Sequence, residues 1–514
     1  MSEPAAPPRP RNLFVVIGAV LIAMVLAMLD NLILSTAMPS IVSDLGGLDH
    51  LSWVVTAYML ATAVSTPVWG KVGDMYGHKG TFMTAIVVFL IGSALAGTSR
   101  DMTQLIAFRA LQGLGGGGLM VGAMAIVSSL VSPREQGRFQ GMMSAVMGVT
   151  MIGGPLAGGA ITDHLGWRWC FYVNLPLGVL ALVMIGLVLR LPKVRSTARI
   201  DIAGVVTLAT AITSVVLVTT WGGNEYGWTS PTILGLGTLA VAAGALFVLA
   251  ERRAAEPLLP LGLFRTANFS LVTLIGFVLG FAMIGGTTFL PLFQQSVQGA
   301  SATNAGLLGL PMSLGMILVN AVVGPLVTRT GRYKAVIVAG GALVGLGLAL
   351  LSTMDVGTST VTTGVYMAVL GVGMGCLMQT TMLVTFQSVE QKDMGVGAST
   401  ATLSRTIGGS IGVAIVGTAF AGQVRDVMAA RGFGKLTEGS AQLDEDGLGR
   451  LPQAMRDAYE HAVAAGTHQA FLLAAGAGLV AFLAAWFVRE VPLRDTAAVA
   501  AAPDPESEPA KAPA

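Results

Sequence analysis

Apolar residues in this chain come in long, nearly unbroken runs, unlike the period-two alternation of half-buried strands or the single apolar stripe of a soluble helix. Windows of about 20 mostly apolar residues read as membrane-spanning helices. Fourteen such segments are found, at 13–36, 52–70, 81–98, 104–126, 139–161, 170–190, 202–221, 232–250, 269–292, 305–327, 335–353, 361–384, 397–422 and 469–488. The first follows Arg9 and Arg11 in the manner of a signal peptide. It is too long, holds Asp30 and lacks a small-residue cleavage site, so it is read as an uncleaved helix. The predicted fold class is an all-α integral membrane protein with fourteen transmembrane helices.

Composition agrees: 11% of residues are charged, with a mean hydropathy of +0.74, against about 25% charged in ordinary soluble domains. Cys170 and Cys376 both fall in apolar runs far apart, so neither a disulfide framework nor a metal site is expected. Charge distribution sets the orientation. Short loops after even-numbered segments carry Lys71, Lys79, Arg134, Arg252, Arg332 and other bases, whereas those after odd-numbered segments carry only Arg100 and Arg168. The positive-inside rule then places both termini in the cytoplasm and requires an even number of segments. The stretch 423–467 lies outside on this reading, with 451–464 a short amphipathic helix or a passive connector.

An internal repeat organises the chain. Gly70 and Gly77, followed by Lys79, close segment 2; Gly324 and Gly331, followed by Lys334, close segment 10. Such repeats build transporter folds with the substrate site at the repeat interface. Residues 12–191 and 263–492 form the two six-helix bundles on this reading. Segments 7 and 8, within 192–262, are inserted between them and expected to be peripheral, because no buried charge lies in them. Residues 1–11 and 493–514, rich in Pro, Ala and Glu, read as disordered tails.

Asp30 is the acidic side chain well inside an apolar segment, where a carboxylate costs about 2.5–3.5 kcal/mol even on lenient scales, and such residues mark ion or substrate pathways. The competing reading is a carboxyl that snorkels to water and only tunes packing. Arg109 sits at a matching depth, and a nearby guanidinium favours the charged acid; snorkelling is again the alternative. Asp74 is placed to accept hydrogen bonds from a helix N-terminus and latch the cytoplasmic side, or is a solvated loop acid. Gly154, Pro155, Gly158 and Gly159 give segment 5 a closely packed, bendable face. Asn31, Trp53, Tyr58, Gln112, Gln294, Gln295, Gln379 and Arg405 are candidates to line an adaptable cavity, although ordinary packing explains any one of them. The sequence holds no G-x-x-x-x-G-K-[ST] element, which argues against a built-in ATPase.

Together these motifs resemble the major facilitator superfamily, specifically its fourteen-helix drug:proton antiporter branch. The resemblance rests on Leu29-Asp30 through Pro39, Trp53 to Tyr58, Gly70 to Lys79, Arg109 with Gln112 and Gly113, Gly154 to Gly159, and Trp167 to Pro176. It implies that Asp30 takes part in proton or substrate coupling, Arg109 supports proton transfer, Gly70, Asp74, Gly77 and Lys79 set the conformational equilibrium, and Gly154 and Pro155 shape an antiporter helix. Met75 and His78 stand where the branch usually has arginine, and Asn31 replaces a common threonine.

The expected activity is proton-coupled export of lipophilic, cationic drugs, dyes or antibiotics. The expected setting is the inner membrane of a bacterium, because arginine outnumbers lysine and Ala, Gly and Val abound. The expected partners are the bilayer, protons and a small lipophilic substrate, with no cofactor, metal, nucleic acid or ATPase subunit, and the protein acting as a monomer. A dedicated exporter of one self-made metabolite, a nutrient symporter and a non-transporting scaffold or scramblase are the alternatives.

Overall fold

A computed structural model describes residues 13–45, 51–130, 133–189, 201–223, 225–254, 256–300, 304, 307–390, 393–433 and 452–491. The expected tails, 1–11 and 493–514, lie outside them. Among the described residues, sixteen α-helices follow one another: α1 (Leu13–Leu45), α2 (Leu51–Tyr76), α3 (His78–Gly97), α4 (Met102–Leu130), α5 (Pro133–Leu165), α6 (Trp169–Tyr172), α7 (Asn174–Val188), α8 (Ile202–Trp221), α9 (Pro231–Arg253), α10 (Ala267–Ile284), α11 (Leu290–Ser296), α12 (Leu310–Thr330), α13 (Lys334–Ser352), α14 (Thr360–Ser388), α15 (Met394–Ala430) and α16 (Gln453–Phe487). Eleven spans among the described residues, with α6 and α7 taken together, are long and apolar enough to cross a membrane; α2, α5 and the shorter α10 are not among them. The protein is a multi-pass, all-helical membrane protein.

Helices outrun the apolar windows because their backbone hydrogen bonds are internal and continue into the interface until a stop residue intervenes. Gly77 (φ 96°), Gly331 (φ 68°) and Gly432 (φ 85°) are such stops. The second glycine of each predicted repeat, Gly77 and Gly331, is therefore a helix-ending glycine in the left-handed region.

Several expectations are corrected. The described residues of the predicted outer loop 423–467 are mostly helix: α15 runs to Ala430 and α16 starts at Gln453, so 453–464 of the amphipathic stretch belong to the long α16 and are neither a separate helix nor a passive connector. Its apolar face, including Tyr459, Ala462 and Val463, is buried, and Gly466 lets α16 close onto Phe420 and Val424 of α15. Segment 9 is not one regular helix. A π-helical turn at Gly285–Phe289 separates α10 from α11, where Pro291 withholds a backbone N–H from the helical ladder. Segment 6 breaks at Val173, between α6 and α7. Helix α9 is peripheral as expected, packing on α8, whereas α8 is not: its Leu208 and Ile212 join Ala63 of α2 and Val396 and Leu403 of α15 in one core that Phe247 of α9 completes. The predicted segment stopped one residue short of Glu251, a buried carboxylate that accepts the backbone N–H groups of Leu258 and Leu259 and folds that linker onto the helix end.

Helix neighbours repeat between the two parts of the chain. In the first, α1 packs on α5 and α7, α4 on α2 and α3, and α3 on α7; in the second, α10 packs on α15 and α16, α14 on α12 and α13, and α13 on α16. The two parts meet along two seams, α2 with α15 and α5 with α12.

Glycines set the close approaches. A Cβ at Gly408 would collide with the Phe277 carbonyl of α10, whereas one at Gly417 of the same helix would meet nothing within 4 Å. Gly408→Ala is therefore expected to lower unfolding stability by roughly 1–3 kcal/mol through overpacking. Gly417→Ala is expected to be neutral or to gain about 0.5–1 kcal/mol from helix propensity. Thermal unfolding of the purified variants in detergent checks the opposite signs.

Candidate functional site

Asp30 lies in the middle of α1 at 2% exposure, and three side chains converge on it. Arg109 donates from Nη1 to Oδ2 at 2.5 Å, while Gln112 and Asn174 each donate to Oδ1 at 2.7 Å. Arg109 is itself fully buried. Its remaining N–H groups reach the Val54 carbonyl at 3.3 Å, Gln112 Oε1 at 2.7 Å and Asn31 Oδ1 at 3.1 Å, and its guanidinium lies 4.2 Å over the Tyr58 ring. Helix geometry explains the cluster: Arg109 and Gln112 stand three apart on one face of α4. Gly113 and Gly115 on that helix have no room for a Cβ against Tyr58 and Phe89, so α4 sits close to α2 and α3.

The structure thus joins Asp30 and Arg109 directly, a closer relation than matching depth alone implied. It also adds Asn174 and Ser93, which were not singled out. Asn174 opens α7 yet makes no cap; its Nδ2 also donates to Ser93 Oγ at 2.9 Å, and its Oδ1 is buried without a partner. Its position just before Pro176 reads in sequence as helix-entry chemistry, which hid this role.

The eight candidate cavity residues do not share one cavity. Asn31, Tyr58 and Gln112 belong to the Asp30 cluster. Trp53 packs edge-on against Trp221 at 5.6 Å, tying α2 to α8. Gln294 is buried beside Met367, Gln295 is exposed, and Gln379 is buried with Oε1 unpartnered. Arg405 lines a separate cavity between α4, α10, α14 and α15.

The Gly70–Lys79 motif forms the α2–α15 seam. At Gly70 a Cβ would meet the Gly395 carbonyl at 2.6 Å, so only glycine permits this approach. Asp74 lies beyond the apolar span 52–70 and accepts the backbone N–H groups of Gly395 and Val396, each at 2.9 Å, at the N-terminus of α15. His78 Nε2 stands 3.5 Å from Asp74. Lys79 donates to the carbonyls of Gly186 and Leu189 and caps α7, and Lys71 pairs with Glu256 at 2.9 Å, tying the α9 linker into the same region.

In α5, Gly154 and Gly158 face Leu32, Ile33 and Thr36 of α1 without room for a Cβ; Gly159 faces open space, and the side chain of Pro155 lies outside what is described.

The sequence model of the Major Facilitator Superfamily matches residues 20–413. The chain belongs to the major facilitator superfamily. Within the superfamily it is 37% identical over 422 residues to the Multidrug transporter protein MdtP of Bacillus subtilis, covering 82% of this chain and 76% of that one. It is 38% identical over 500 residues to the uncharacterized MFS-type transporter Rv1877 of Mycobacterium tuberculosis, covering 96% and 71%. The crystal structure of the human organic anion transporter MFSD10 superposes with a TM-score of 0.64 over 93% of this chain and all of that one; at 14% identity this shows the shared fold alone. A superfamily member with these relatives is a transporter and not an enzyme.

Burial, the largest influence, raises the Asp74 carboxyl to about 7 despite its two N–H donors, and Asp393 adds to the rise. Once the seam opens, Asp74 returns toward about 4. The closed seam therefore binds the proton more tightly, so its proton-linked stabilisation is complete below about pH 4 and is lost as pH rises through about 7. Spin-label distances across the α2–α15 seam are expected to shift toward the closed value on going from about pH 8 to about pH 6. Asp74→Asn is expected to abolish that pH dependence.

Proposed function

We propose that this transporter is a proton-coupled antiporter that exports lipophilic compounds, drugs and antibiotics among them, from the cytoplasm. The observation that carries the reading is the buried Asp30–Arg109 pair. A carboxylate at 2% exposure, held by a guanidinium and two amides, is an ion-coupling arrangement, because its charge state decides whether Arg109 has a counter-ion. Protonation of Asp30 would release Arg109 and loosen the joint between α1 and α4. The printed names of relatives such as MdtP support the multidrug efflux part.

The finer picture is of fourteen crossings, with α2, α5 and the broken α10–α11 helix added to the eleven apolar spans. Two six-helix bundles, 12–191 and 263–492, flank the 192–262 hairpin. Both termini lie in the cytoplasm, and the setting is a bacterial inner membrane. The protein works as a monomer on the proton gradient, with no cofactor or ATPase subunit. Moving one charge through 100 mV supplies about 2.3 kcal/mol, so a net inward charge would draw on voltage as well as pH. The expectation of cationic cargo rests on Asp30 as the acid inside the apolar segments. Asp30 is already balanced by Arg109, so it supplies no unpaired negative charge for a cation.

The test uses inside-out vesicles with an acidic lumen and a panel of lipophilic compounds. Addition of an exported compound is expected to release lumenal protons in the wild type, and Asp30→Asn is expected to reduce the response to background. A panel without response, or a variant that responds as the wild type does, would defeat the antiport reading.

A further inference from the structure

Arg405 is the cation that the Asp30 cluster leaves unused. It stands eleven residues into α15 from Met394, roughly 16 Å along the axis at 1.5 Å per residue, about half of a bilayer's hydrocarbon thickness. Among the described residues, none holds its guanidinium by an ion pair or hydrogen bond. Its backbone cannot retreat. A Cβ at Gly280 would collide with the Arg405 carbonyl, Gly408 closes on Phe277, and Ser404 donates to the Thr273 carbonyl at 2.8 Å, so this part of α15 is fixed against α10.

The cavity it lines is otherwise apolar and soft, with Met124, Met378 and Met382 around it. Thr381 and Thr402 also line it, but each donates its hydroxyl proton to a carbonyl of its own helix. Among the described residues, none that lines the cavity is acidic. The free N–H donors come from Arg405, and the local charge is positive.

We propose that this cavity is a cargo site for a lipophilic anion, with the carboxylate, sulfonate or phosphate of an amphiphile on the Arg405 guanidinium and its apolar body against the methionines. Guanidinium geometry matches such oxyanions bidentately, and a membrane-buried charge without a partner marks a substrate pathway. A cation here would face like-charge repulsion with no carboxylate to offset it. In this closed arrangement the cavity is only about 30 Å³, against roughly 300–1,000 Å³ for ligand sites. It widens for cargo when the α2–α15 seam parts, since Asp74 holds the first turn of the same helix that carries Arg405. The proposal deepens the exporter reading and rests on it for the direction of transport.

The test measures binding of three fluorescent probes that share one body, 1-pyrenebutyrate, 1-pyrenebutanol and a pyrenebutyl trimethylammonium, to full-length protein in phosphatidylcholine nanodiscs. Wild type is expected to bind the anion most tightly and the cation most weakly. Arg405→Ala is expected to weaken the anion at least about tenfold, the cost of losing a hydrogen bond to a charged group, while the alcohol is unchanged. Arg405→Lys, which keeps the charge, is expected to retain most of the anion's affinity and controls for folding. Competition by added phosphatidylglycerol would identify a lipid headgroup as an occupant of the same anion site; absence of competition would point to free amphiphiles. Equal losses for all three probes in Arg405→Ala, or a wild type that prefers the cation, would overturn the proposal. Transport of the same probes in inside-out vesicles separates the two readings. Arg405-dependent binding without proton-driven movement would sink the exporter and leave the anion site. Export of the cation, with Arg405→Ala as active as wild type, would do the reverse.

Discussion

A guanidinium with no exposure to solvent must be paired, because desolvation makes an isolated buried charge far more costly than a paired one. Arg109 meets that requirement only where α1, α2, α4 and α7 come together: Asp30 and Asn31 from α1, the Val54 carbonyl and the Tyr58 ring from α2, Gln112 from its own helix, and Asn174 from α7 through Asp30. The packing of the first half follows from this. Glycines on α4 allow the approach to α2 and α3, and glycines on α5 bring it against α1 near Asp30. The Asp30–Arg109 pair, with its neutral partners, thus joins four helices at one point.

That local event reaches the rest of the molecule through the seams between the two parts. The α2 helix carries Val54 and Tyr58 of the Arg109 site and, at its far end, Gly70 and Asp74 against α15. A single continuous helix, with Pro67 in its interior, therefore links the charge cluster to the Asp74 contact. Helix α8 packs on this helix and on α15 at once, with α9 behind it, and Lys71 and Glu256 fasten the α9 linker beside the Asp74 contact. The inserted helices are thus placed to stabilise the closed seam. On the other side of the same seam α15 presents Arg405 to the cavity, so the charge cluster, the Asp74 contact and the cavity are connected through two touching helices.

Much of this was legible in the sequence because charges in apolar runs are rare and costly. Asp30, Arg109 and Arg405 stand out on that ground alone, and Gly77 and Gly331 are visible as helix stops. Asn174 and Ser93 were not visible: a neutral amide at a helix start and a lone serine in an apolar segment are common, and only the fold shows that they share a carboxylate. Glu251 was missed because an apolar window ends where the first charge begins, which is also why α15 and α16 were drawn too short and the loop between them too long. The π-turn at Gly285–Phe289 depends on how α10 meets its neighbours, and hydropathy carries no signal for it. Eight polar or aromatic residues were grouped as one cavity because sequence gives their depth but not the direction they face.

The most direct test of the buried pair is a double-mutant cycle on unfolding free energy with Asp30→Asn, Arg109→Gln and both together. Each single change strands one buried partner and is expected to cost on the order of 3–5 kcal/mol, while the double variant, with no unpaired charge, is expected to be more stable than either single. Losses that simply add would contradict the account, because two residues that do not share a buried ion pair have no reason to restore one another.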